Sequence, residues 1–126
     1  MEELLNSMEY YSDKGCTDAQ IETAEQELNL RFASDYREYL KRHGAIVVNS
    51  HELTGITDDK RINVVDATRS CRVLTPSIPK DWYVIEEANI DGIVLWQSQD
   101  ASIYEVCGTE TPRKIAVDMA DYLRRF

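Results

Sequence analysis

The segment 17-TDAQIETAEQELNLRFASDYREYLKRHG-44 decides the fold, because start and stop signals for two helices are packed into it. Thr17 stands where a helix cap belongs and Gln20 occupies the third helical position. That spacing is a capping box, in which each side chain satisfies the other's free backbone N–H. Cys16 and Ile21 flank the cap at the positions of a hydrophobic staple. Ile21, Ala24 and Leu28 then recur at helical spacing, with Glu22, Glu25, Gln26 and Glu27 filling the remaining face. Leu30 and Phe32 anchor a short connector. Ser34 is expected to cap a second helix whose buried face is Tyr36, Tyr39 and Leu40. Lys41, Arg42 and His43 suit the carbonyl end of that helix, and Gly44 stops it. Two amphipathic helices of this kind need a surface to dock on, so the remainder of the chain is expected to supply a sheet.

At 126 residues and 43% hydrophobic content, residues 1–126 read as one globular domain with a single core. No apolar run approaches the roughly 20 residues of a membrane span. The acidic start MEELLNSMEYYSDKG lacks the basic region of a signal peptide, and a cytoplasmic location is the expectation. Three cysteines (Cys16, Cys71, Cys107) without a CxxC pair read as reduced thiols, not as a disulfide or metal site. The net charge of −9 argues against nucleic acid and against an anionic membrane as partners. Residues 81–110 carry seven acids and not one Lys or Arg, which marks them as a candidate anionic surface.

Outside the opening segment the reading proceeds by period. Residues 2–12 are expected to form a first helix with Leu4, Leu5, Met8 and Tyr11 on one side. AIVV after Gly44 reads as a short strand, NSHELTG as a polar loop, and residues 56–62 as loop or an irregular edge. Asn63 caps a helix over 64–73, whose face runs Val64, Ala67, Thr68, Cys71, Leu74. After Pro76 and Pro79 the pattern changes to short β-branched and aromatic runs, WYVIEE, IVLWQ and SIYEV. Turn residues Asn89-Ile90-Asp91-Gly92 and Gln99-Asp100-Ala101 separate them, which predicts a three-stranded antiparallel meander. Pro112 is expected to start a terminal helix with Ile115, Met119, Tyr122 and Phe126 buried.

The pattern I21-x-x-A24-E25-x-x-L28-x-L30-x-F32-x-x-D35-Y36-R37-x-Y39-L40-x-x-x-G44 resembles the helical signature of the SUKH superfamily. That superfamily includes bacterial relatives of fungal cell-wall assembly regulators. E52-L53-x-G55, N63-V64-V65-x-x-T68, P79-x-x-W82-Y83-V84-I85, D91-G92-I93, I103-Y104-E105 and D121-Y122-L123 continue the resemblance in order. Ala33 departs from it, since the family commonly has proline before the second helix. The resemblance implies an α+β fold, with N-terminal helices and a C-terminal helix packed against a mainly antiparallel sheet. It also implies an immunity protein that binds and neutralises the C-terminal toxic domain, often a nuclease, of a polymorphic or LXG-type toxin. A regulatory scaffold acting on an endogenous signalling or cell-wall partner is the alternative. An acidic inhibitor suits a basic nuclease surface, because opposite charge speeds encounter.

No catalytic or metal-binding constellation stands out, and no cofactor is expected. His43 and His51 are the only histidines, and a pairing of His51 with Cys71 has no nucleophile elbow or metal motif beside it. Adjacent Glu86 and Glu87 must point to opposite faces of a strand and cannot act as an acid–base pair. Recognition is therefore assigned to the acids and aromatics of the meander and of the preceding loop. These are Glu52, Asp58, Asp59, Trp82, Glu86, Glu87, Asp91, Asp100, Tyr104 and Glu105. Of the four rings Trp82, Tyr83, Trp96 and Tyr104, two are expected inside, with Trp82 and Val84 on one face and Tyr83 and Ile85 on the other.

Overall fold

A computed structural model of the chain describes residues 1–88 and 91–126. The Asn89-Ile90 half of the first meander turn lies outside the described residues. The elements run α1 (Glu2–Asn6), β1 (Tyr10–Ser12), α2 (Asp18–Leu28), α3 (Ser34–His43), β2 (Ile46–Val48) and β3 (His51–Glu52). A 3-10 turn (Lys60–Ile62) follows, then α4 (Val64–Leu74), β4 (Tyr83–Glu87), β5 (Ile93–Gln97), β6 (Ile103–Cys107), β7 (Arg113–Ala116) and α5 (Met119–Leu123). The result is the expected α+β architecture.

The strands form two antiparallel sheets, β1-β2-β3 and β4-β5-β6-β7. A bridge between Leu53 and Glu86 links their facing edges, with the Thr54 N–H donating to the Ile85 carbonyl at 2.8 Å. The β4–β5 register slips between Val84 and Glu86, which makes Ile85 the extra residue of a bulge. Tyr83 and Ile85 join the main core with the α2–α3 hairpin and α5, while Val84 enters a second cluster with Trp96, Val106 and α4. The meander is thus buried on both faces, which explains why its strands read as nearly continuous apolar runs.

The hairpin is built largely as its sequence specifies. Thr17 and Gln20 form the reciprocal capping box, and Ile21, Ala24, Leu28, Phe32, Tyr36 and Tyr39 are buried. Two details differ. Ala33, not Ser34, occupies the cap of α3, because its N–H is spent on the buried Tyr83 hydroxyl at 2.9 Å. Glu25 faces inward on α2, where its carboxylate accepts from the Phe32 N–H at 2.9 Å and closes the connector.

The ends and the short loops depart further from expectation. The helix expected over 2–12 stops at Asn6, and Tyr10–Ser12 pair with β2 instead, leaving Tyr11 82% exposed. NSHELTG is not a loop: it contains β3, and Leu53 is fully buried. Leu74 at the end of α4 is exposed. The terminal helix does not begin at Pro112. Arg113–Ala116 form a fourth meander strand, and Asp118 caps α5 by accepting from the Asp121 N–H at 2.8 Å. Sheet pairing satisfies the outer edge of β6, and a helix begun at Pro112 would have left it bare.

Glycine decides one crossing. A Cβ on Gly55 would lie 1.6 Å from the Gly44 carbonyl oxygen, so the chain after β3 crosses the end of α3 at backbone contact. Gly92, by contrast, adopts a positive φ of 70°, and nothing lies near its missing side chain. Replacing Gly55 with Ala should cost about 3 kcal/mol in urea unfolding, against about 1 kcal/mol for Gly92→Ala. Equal midpoints for the two variants would show that the crossing carries no steric constraint.

Candidate protein-docking surface

A buried carboxylate and a half-buried one, adjacent on β4, divide the sheet's chemistry. Glu86, on the main-core face, accepts from His51 Nδ1 at 2.8 Å and from the Tyr122 hydroxyl. Phe126 lies flat on the His51 ring, with centroids 3.8 Å apart and planes 3° from parallel. Glu87 turns to the opposite face, where the Cys71 thiol donates to it at 3.1 Å. Burial first, and then this carboxylate, push the Cys71 thiol up to about 12, so it stays protonated. His51 and Cys71 therefore face opposite sides of the sheet and cannot form a nucleophile–base pair. His43 is equally committed, its Nε2 being 2.8 Å from Glu2 on α1.

The residues expected to bind a partner scatter over the molecule. Glu52 and Asp59 share Arg61, at 2.9 and 3.1 Å, and Asp59 also caps the 3-10 turn; Asp58 beside them is exposed. Trp82 and Tyr104 stack at 4.1 Å between centroids, both half-buried, at the rim of the second cluster. Tyr83 and Trp96 are the two rings inside. Glu86 is only 3% exposed and has no surface to offer. Glu105 is paired with Arg113 at 3.1 Å. Asp91 occupies the β4–β5 turn and Asp100 the β5–β6 turn, at opposite ends of the meander. The acid-only segment 81–110 is therefore no continuous anionic face.

The structure instead gathers carboxylates at one end. Asp35, in the first turn of α3, accepts from Gln97 Nε2 at 3.1 Å and from the Met119 N–H at 2.8 Å. Gln97 also donates to the Ala101 carbonyl, which ties the Asp100 turn to the same point. Burial raises the Asp35 pKa, the two hydrogen bonds oppose that rise, and Asp118 adds to it. Beside Asp35 opens a groove of about 390 Å3, lined by Met1, Glu2, Glu3, Glu38, Tyr39 and Arg42. Of its acids, Asp35 alone belongs to the signature pattern. Glu2, Glu3 and Glu38 carry no sequence signal that they meet, since α1 reaches α3 only through the fold. A larger groove of about 650 Å3, lined in part by Glu22, Arg31, Arg37 and Asp81, mixes both signs of charge.

Among the described residues no cluster of three or more His, Cys, Asp or Glu is placed to hold a metal ion. None of their helices is long and apolar enough to cross a membrane.

Truncating Glu86 to Ala strands the Tyr122 hydroxyl and the His51 ring, and should lower stability by about 3 kcal/mol in chemical denaturation. A loss below about 0.5 kcal/mol would mean that water replaces the carboxylate freely. Asp100 behaves differently. Hydrogen bonds from Ser98 and then Ser102 hold its carboxyl below the usual carboxylate range. Its contribution is therefore fully present above the unfolded-state pKa of about 3.9 and is lost as pH falls through the lower folded value. The stability gap between the wild type and Asp100→Asn should be widest near pH 6 and close towards pH 2. A gap that widens on acidification would contradict this assignment.

No curated protein matches the sequence. A SUKH family model, described as SMI1-KNR4 cell-wall, matches residues 1–125, nearly the whole chain. With the signature hairpin formed, the two antiparallel sheets in place and that match covering both, the chain belongs to the SUKH (SMI1-KNR4) family.

Proposed function

We propose that this chain is an immunity protein: a single SUKH-like domain, acting in the cytoplasm, that binds the C-terminal toxic domain of a cognate polymorphic or LXG-type toxin and neutralises it. The family match carries this reading. Charge supports it further and favours a nuclease-type target, because a nuclease holds phosphate with basic residues. A chain of net charge −9 is steered towards such a surface at rates a neutral inhibitor does not reach. The buried hydrogen bonds described above hold the hairpin on the meander in one arrangement, and inhibition by occlusion asks for no chemistry from the chain. Neither a cofactor nor nucleic acid takes part in this scheme.

Co-expression tests the proposal. The chain should restore growth to cells producing the toxin domain encoded beside its gene, and the two proteins should copurify. Absence of both rescue and complex with every neighbouring product would remove the immunity reading. Raising ionic strength from about 0.05 M to 0.5 M should slow association at least tenfold, since the Debye length falls from about 14 Å to 4 Å.

A further inference from the structure

We propose that the groove between α1 and α3 is the seat for an arginine- or lysine-bearing segment of a basic partner protein. This deepens the immunity reading and rests on it for the partner's identity, but the geometry stands on its own residues. Glu2, Glu3, Asp35 and Glu38 line the groove, with Arg42 the one basic side chain among them. Glu2 is fixed in place by His43. Among the described residues, Glu3, Asp35 and Glu38 make no ion pair within 4.0 Å. Glu52, Asp59 and Glu105 differ in this respect, each having an arginine.

Shape matches the charge. Half-buried Met1 contributes apolar surface over the buried Tyr39, which suits the methylene stem of a long basic side chain, while the carboxylates meet its head. Asp35 is held by the Met119 N–H and Gln97, so its position is set before any partner arrives. Its carboxylate is partly desolvated without a counter-ion, and an incoming guanidinium supplies one. The groove also sits at the meander end that carries Asp100 and Asp118, which extends the anionic approach beyond its rim. A basic segment gains hydrogen-bond acceptors, apolar contact and charge neutralisation in one place, and an acidic or neutral segment does not.

The test uses the full chain and an amphipathic helical peptide with arginines along one face, titrated by NMR at low ionic strength. Amide shifts should concentrate on α1, α3 and the start of α5. Glu3→Lys with Glu38→Lys should weaken binding at least tenfold. Glu22→Lys with Glu110→Lys makes the same change in net charge on α2 and in the β6–β7 turn, neither of which lines the groove, and should weaken it less than about twofold. All four positions are exposed, and circular dichroism checks that each variant folds. Milder Glu3→Gln with Glu38→Gln should fall between the wild type and the reversal. Equal losses in the two reversed pairs, or shifts spread evenly over the surface, would show that only net charge matters and overturn the proposal. Growth rescue separates the two readings. If the toxin is still neutralised at wild-type level by Glu3→Lys/Glu38→Lys, the groove is not its seat, although immunity stands. If no neighbouring product is neutralised at all, immunity fails and the peptide titration alone decides the groove.

Discussion

A chain of buried hydrogen bonds holds the helical hairpin to the meander, and most of the structure depends on it. The Ala33 N–H donates to the Tyr83 hydroxyl, which donates to Gln97 Oε1 at 2.6 Å. Gln97 Nε2 donates to Asp35, and Asp35 accepts from the first backbone N–H of α5. One residue from each of α3, β4, β5 and α5 is thereby fixed with respect to the others. A second set does the same beneath it. The Tyr39 hydroxyl donates to the Thr54 carbonyl at 2.6 Å and accepts from the Ile46 N–H, while the Thr54 hydroxyl bonds Tyr36 and the Val84 carbonyl. Burial raises the pKa of all three tyrosines well away from any physiological titration, so these hydroxyls remain neutral. A polar network this fully satisfied specifies one packing of helices on sheet, where an all-apolar interface would tolerate several.

The hairpin and the meander were legible because their signals are local. A capping box, a 3.6-residue apolar stripe and a glycine stop are written within a dozen residues of where they act. The same holds for alternation in β4, where Trp82 and Val84 do share a face opposite Tyr83 and Ile85. Misreadings came where a partner distant in sequence decides. Tyr10–Ser12 look helical until Val48 and Ile46 claim them, and Arg113–Ala116 follow a proline but are claimed by β6. Glu25 reads as a surface glutamate, yet the Phe32 N–H seven residues away draws it inside.

The candidate site shows the same division more sharply. Charge along the chain pointed to residues 81–110, but a meander sends successive turns to opposite ends and successive side chains to opposite faces. Seven acids in a row of sequence become one buried acceptor, one partner of an arginine, one acceptor of a thiol and several turn residues. The carboxylates that do assemble come from α1 and α3, far apart in sequence, and the first N–H of α5, near the other end of the chain, holds one of them. Linear charge density is a poor guide to surface potential whenever the intervening structure is antiparallel.

The bridge between Leu53 and Glu86 has a bearing on solubility. By joining β3 to β4 it covers two inner strand edges at once, so among the described residues the strands are left with the outer sides of β1 and β7 as edges. Each of these is guarded. β1 is three residues long and flanked by Glu9 and Asp13, and β7 carries Arg113 and Lys114 and receives the Arg125 guanidinium on its Ile115 carbonyl. Short, charged or occupied edges discourage the strand-to-strand growth that leads to aggregates. A sheet closed in this way leaves a second copy of the chain little edge on which to add a strand.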